Sequence, residues 1–255
     1  MPVEASVDGD VALIRLAEPE RRNVLDRAMA EALRQAAERV GADPAVRAVV
    51  LTGSGRTFAA GADIREIGEA SAAENLAYNR RLREAVDAVA TIPVPTIAAI
   101  NGHAIGGGLE LACACTLRIA AAEAKLGLPE ARLGIMPATG GLARLPRLIG
   151  PAATARLALT GELIEAPEAE ALGLLRAVPA DRVEPEALAL ARRIAEAAPL
   201  ATRAILATLR EDAELPLAAA TERTEERLAA LLESADRREG ARAFLERRPP
   251  RFTGS

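Results

Sequence analysis

Aromatic side chains are nearly missing from this 255-residue chain, at 2% of the composition, and tryptophan is absent. Basic residues form no block or stripe interleaved with aromatics, so nucleic acid is a poor partner for it. There is one histidine, His103, which excludes a metal centre built from several histidines. A serine–histidine triad would have to use that same residue, and no G-x-S-x-G elbow accompanies it. There is also one lysine, Lys125, which leaves Schiff-base chemistry a single candidate. Cys113 and Cys115, the only cysteines, read as two small apolar core residues rather than a disulfide or a metal pair. No apolar run approaches the length that spans a bilayer. The stretch Met1–Asp10 carries acids and lacks the basic-then-apolar order of a signal peptide, so the expected location is the cytoplasm.

What is present is ample material for a core. Half the residues are hydrophobic, and 32 basic and 36 acidic residues are interspersed to a net charge of −4. Val3–Val7 and Val11–Leu16 alternate about Asp8-Gly9-Asp10 and predict a hairpin. Asp26 is placed to cap a helix reaching about Val40, with Met29, Leu33, Ala36, Ala37 and Val40 on one face. Strands are expected at Ala48–Leu51, Thr96–Ile100, Leu117–Ala121 and Leu174–Val178. A helix is expected at Ala72–Ala90, and short helices at Leu142–Ile149, Ala152–Leu159 and Glu168–Leu172. Beyond Pro185 the texture is helical only, in four segments from Leu188 to Arg247. The division is therefore an α/β core over 1–194 and a helical C-terminal region over 195–255. Leu228, Leu231, Leu232, Phe244 and Leu245 give that region apolar faces in need of a partner, such as another subunit.

Three glycine-bearing tracts carry the chemistry. They are Phe58-Ala59-Ala60-Gly61-Ala62-Asp63-Ile64, Asn101-Gly102-His103-Ala104-Ile105-Gly106-Gly107-Gly108-Leu109-Glu110, and Gly127-Leu128-Pro129-Glu130 with Pro137-Ala138-Thr139-Gly140-Gly141 just beyond it. A phosphate loop is ruled out at the second tract because no Lys-Ser/Thr follows. A dinucleotide turn fits poorly, since the spacing is wrong and Glu110 would face a pyrophosphate. Taken alone, the tract satisfies an ordinary tight turn, and each glutamate an ordinary solvated acid. Together they fit chemistry beside a thioester carbonyl. Backbone amides at Ala62 and Gly107 can hold the charge that builds on the oxygen, at about 3 kcal/mol per donor, and two carboxyls can pass protons.

On these tracts, on Leu133-Gly134-Ile135-Met136-Pro137 and on the tail Glu239–Pro249, the chain resembles the crotonase superfamily, and within it the enoyl-CoA hydratases. The resemblance covers nearly the whole length. It implies a spiral of ββα units with a helical C-terminal region that builds trimers, often paired into hexamers. It implies an acyl-CoA substrate, with coenzyme A as thioester carrier and no metal or redox cofactor required. Ala62 and Gly107 then supply the oxyanion-hole amides. Glu110 activates water for attack at C3 of a 2-trans-enoyl-CoA, and Glu130 delivers the proton to C2, giving a 3-hydroxyacyl-CoA. Ala60, Asp63 and Ile64 line the adenine site, Arg65 lies near the phosphates, and Phe244 and Arg247 come from the tail toward the nucleotide. Arg247 stands where the family commonly has lysine. Ala138 stands in place of a glycine, Thr116 of an aspartate, and Leu126 of a phenylalanine. The first of these three bears on the acyl pocket and the other two on packing. The alternatives are a double-bond isomerase, a hydratase of branched or dicarboxylic acyl-CoA, and a non-catalytic acyl-CoA or RNA binder.

Overall fold

The computed structural model describes residues 1–255. Strands β1 (Val3–Asp8) and β2 (Val11–Leu16) form the expected antiparallel hairpin. Helix α1 (Arg27–Ala42) starts where the Asp26 carboxylate accepts the Met29 N–H at 2.8 Å, and it buries all five apolar positions named above. Three strand pairs then follow a repeating pattern. In order, β3 (Ala48–Gly53) and β4 (Thr57–Ala59) precede α2 (Ile64–Glu69) and α3 (Ala72–Ala90). Next, β5 (Thr96–Ile100) and β6 (His103–Ile105) precede α4 (Gly107–Ala114), and β7 (Leu117–Ala121) and β8 (Lys125–Gly127) precede α5 (Gly141–Thr160).

Within each pair the two strands do not bond to each other. The first bonds to its counterpart in the next turn, β3 to β5 to β7, all parallel. The second does the same, β4 to β6 to β8. The chain therefore winds as a spiral with two walls. One is a six-stranded sheet in the order β1-β2-β3-β5-β7-β10, and the other is a four-stranded sheet in the order β4-β6-β8-β9. The closing elements are β9 (Leu163–Glu165), α6 (Ala166–Ala171) and β10 (Arg176–Val178). Helix α7 (Val183–Ala195) covers the large sheet with Val183, Ala187, Ala191 and Ala195, all buried.

Helices α8 (Pro199–Glu211), α9 (Leu217–Leu232) and α10 (Ala235–Glu246) complete the chain. No residue of α9 is buried, and Phe244 and Leu245 of α10 are more than 80% exposed. The final residues fold back on α10, where Asp236 accepts the Thr253 and Gly254 amides at 2.7 and 2.9 Å. Arg47 ties that tail to the core through the Phe252 carbonyl at 3.0 Å.

Four short strands were not expected from the sequence, whereas the two helices about Gly150 were. The short strands β4, β6, β8 and β9 are unread in the pattern, because three residues are too few to show a period of two. The segments Leu142–Ile149 and Ala152–Leu159 are the two expected helical stretches of α5, separated by a kink where Gly150 leaves helical geometry (φ 80°, ψ 158°) ahead of Pro151. Cys113 and Cys115 are buried and unpaired, and burial pushes their thiols up to about 12 and about 11.

Candidate active site

Each turn of the spiral ends a strand of the small sheet at one common edge. Just past β4 lies Ala62, just past β6 lies Gly107, and just past β8 a 3-10 turn over Pro129–Leu133 carries Glu130. Helix α4 packs tightly here. A Cβ at Gly108 would fall 2.1 Å from the Ala59 carbonyl oxygen, so only glycine lets the helix lie against β4. Glu110 occupies the first turn of α4 and is almost fully buried.

These groups line one cavity of about 440 Å³ together with Ile67, Leu76, Leu82, Ile135, Met136 and Ala138. Two larger surface hollows, of about 580 and 660 Å³, contain neither glutamate. The amides of Gly107 and Ala62 are neighbours, since a Cβ at Gly107 would lie 3.8 Å from the Ala62 nitrogen. Gly107 is the first residue of α4, so its N–H has no carbonyl to meet within the helix. The Ala62 N–H makes no hydrogen bond to backbone outside the regular elements.

The two carboxyls have different surroundings. Glu110 accepts three hydrogen bonds from one loop. Thr139 N–H and Gly141 N–H reach Oε1 at 3.0 and 2.7 Å, and the Thr139 hydroxyl reaches Oε2 at 2.6 Å. Such a cradle suits an acceptor-only carboxylate. Glu130 has a buried Oε2 with no partner at all. Its Oε1 lies over Gly106, where a Cβ would come within 2.6 Å, and Gly106 has φ 54°. Burial, against an opposing bond from its own backbone and with a smaller push from the charge of Glu110, raises the Glu130 carboxyl to about 7.

Ala60, Asp63, Ile64 and Arg65 follow β4 beside Ala62. Asp63 caps α2 by accepting the Arg65 N–H at 2.9 Å and pairs with Arg21 at 3.2 Å. Ile64 and Arg65 are exposed. Phe244 and Arg247 are not brought to the cavity. They sit on exposed α10 and at its left-handed C-terminal cap. His103 also stays outside, exposed on β6 with its Nδ1 accepting the Lys125 N–H at 3.1 Å. Thr116 bridges to Thr96 through hydroxyl and amide bonds, and Leu126 is fully buried.

Three residues that hold the site carry no assignment in the sequence reading. Thr139 cradles Glu110. Tyr78 takes the Asp63 N–H on its hydroxyl at 3.0 Å and donates to the Leu25 carbonyl. Buried Asn23 donates to the carbonyls of Thr57 and Phe58, pinning β4. Only Thr139 had a signal, its place inside a glycine tract.

A spiral of ββα units with two carboxyls and two adjacent amides around one cavity is the architecture of the crotonase fold. The enoyl-CoA hydratase/isomerase family model matches residues 6–255. The crystal structure of an enoyl-CoA hydratase from Bacillus anthracis superposes with a TM-score of 0.97 at 34% identity over the whole of both chains. A Thermus thermophilus relative is 44% identical across 96% of this chain and 98% of its own, under a name given provisionally as enoyl-CoA hydratase. The 2,3-dehydroadipyl-CoA hydratase of Escherichia coli is 38% identical across 96% of this chain and 95% of its own. The chain belongs to the enoyl-CoA hydratase/isomerase family of the crotonase superfamily.

Proposed function

We propose that the protein is an enoyl-CoA hydratase that adds water across 2-trans-enoyl-CoA to give 3-hydroxyacyl-CoA, in fatty-acid or aromatic-acid degradation. The observation that carries this reading is the meeting of Glu110, Glu130, Ala62 and Gly107 at one cavity. The thioester oxygen accepts from the Ala62 and Gly107 amides, which hold the charge that develops on it. Water bound between the carboxyls gives a proton to Glu110 as its oxygen bonds to C3. Protonated Glu130 gives its proton to C2, and the double bond becomes single. The two carboxyls then hold each other's starting states, and proton transfer across their shared cavity resets them. Because they interact, the pair titrates as a unit.

Coenzyme A is the carrier of the substrate, and no metal or redox cofactor enters the scheme. Its nucleotide is proposed to lie along Ala60, Asp63, Ile64 and Arg65. Phe244 and Arg247 contribute there once subunits assemble as a trimer or hexamer through the exposed faces of α9 and α10. The cytoplasm is the proposed location. A second reading, an acyl group ending in a carboxylate, is supported by the name of the E. coli relative.

The test is a set of enoyl-CoAs incubated with the purified protein. Loss of the conjugated enoyl absorbance, with 3-hydroxyacyl-CoA as product, is expected. Folded protein that leaves every one of them unchanged overturns the reading. Light scattering decides between trimer, hexamer and monomer.

A further inference from the structure

The cavity ends in an apolar wall that reaches the surface. Leu76 of α3 and Ile135 and Met136 beyond the Glu130 turn all line it, yet they are 53%, 42% and 63% exposed. The wall therefore continues out of the buried chamber that holds the glutamates. Buried Leu82 extends it inward.

The charges present are all of one sign. Glu110 and Glu130 are the only ionisable acids or bases on the lining apart from the Tyr78 phenol, and no lysine or arginine lines it. Arg144, which bonds the lining residue Thr139 from behind, is already engaged. It donates to Asp87 at 2.6 Å and to the Thr139 carbonyl at 3.2 Å. The two asparagines of the lining donate to backbone as well. Asn79 donates to the Ala138 carbonyl at 3.2 Å, and Asn75 to the carbonyls of Ile67 and Ala70.

Resting on the proposed thioester site, we infer that the acyl group this chain accepts is uncharged and longer than four carbons, with its tail along Leu76, Ile135 and Met136. A terminal carboxylate there meets apolar side chains and no lining cation, so it loses part of its water without gaining a partner. A methyl-terminated tail gains apolar contact with each added carbon. The gain is roughly two- to fourfold in affinity per buried methylene. The dicarboxylic reading is thereby disfavoured.

Binding of saturated acyl-CoAs, which cannot be hydrated, tests this without relying on turnover. Hexanoyl-CoA and adipoyl-CoA share a chain length and differ in the terminal charge. Hexanoyl-CoA is expected to bind at least tenfold tighter, and octanoyl-CoA at least tenfold tighter than butanoyl-CoA. Met136→Arg and, separately, Leu76→Arg should narrow the hexanoyl-to-adipoyl ratio by placing a cation at the tail. Adipoyl-CoA binding as well as hexanoyl-CoA overturns the inference, as does affinity indifferent to chain length or failure of every thioester to bind. If the binding order holds but no enoyl-CoA is hydrated, the inference stands and the hydratase reading falls.

Discussion

Glu110 and Glu130 face the same cavity, but one is held by three donors and the other leaves a buried oxygen without any. The first is supplied by a helix start and a loop 29 residues further on; the second rides a short turn pressed over Gly106. The difference teaches how identical side chains can be given opposite tasks. Donors favour the form that only accepts, while burial without donors favours the form that keeps its proton. Under the proposed function, a base and an acid result from neighbours alone, with no change in the residue.

The largest effect that could break this contrast comes from removing either carboxyl. Glu110→Gln and Glu130→Gln should each lower kcat by about 100- to 10,000-fold while saturated acyl-CoA still binds. Steady-state kinetics beside calorimetry would check it, and full activity in either variant would refute the shared-site assignment. Crowding Glu130 is next. Gly106→Ala sets a methyl group where the Glu130 Oε1 now lies and strains a φ of 54°, so a loss of about 100-fold in kcat is expected with the fold retained by circular dichroism. Weakening the cradle is milder. Thr139→Val removes the hydroxyl bond to Glu110 and should cost about 10-fold in kcat, with Thr139→Ser recovering most of it. An equal loss in the serine variant would show that shape, not the hydrogen bond, matters.

The smallest effect is on stability. The Glu130 carboxyl sits near 7 in the folded chain against an ordinary 4.5. Between those values the folded state binds more proton than the unfolded one, so stability falls as pH rises through that window. Glu130→Gln should remove this fall and leave the variant more stable than the parent above pH 7. Allowing for the part of the carboxyl that water reaches, the difference is about 1 kcal/mol. Denaturant unfolding at pH 5 and pH 8 would measure it. In kcat/KM, the same protonation predicts a decline as pH rises above about 7.

Much of the molecule was legible beforehand, for physical reasons. Long helices such as α1 and α3 declared themselves through repeated apolar positions, and α1 also through the cap at Asp26. The four site groups stood in tracts where glycine permits close approach. The small sheet was not legible, because its strands are three residues long and their partners are more than twenty residues away. Asn23 was invisible for a similar reason. Nothing in Arg22-Asn23-Val24 announces that its amide will pin a strand over thirty residues distant. The unequal environments of the two acids depend on burial and on the Thr139 loop, both of which exist only after the chain has folded.

The spiral places Ala62, Gly107 and Glu130 at corresponding positions on three successive coils. The first coil presents only a main-chain group, which any sequence retains if its turn keeps its shape, and the second presents a main-chain group together with the Glu110 side chain. The third presents a replaceable side chain. A scaffold built this way separates grip from reactivity. Under the proposed function, exchanging one residue on the last coil would redirect the outcome for a captured thioester, leaving the main-chain means of capture untouched.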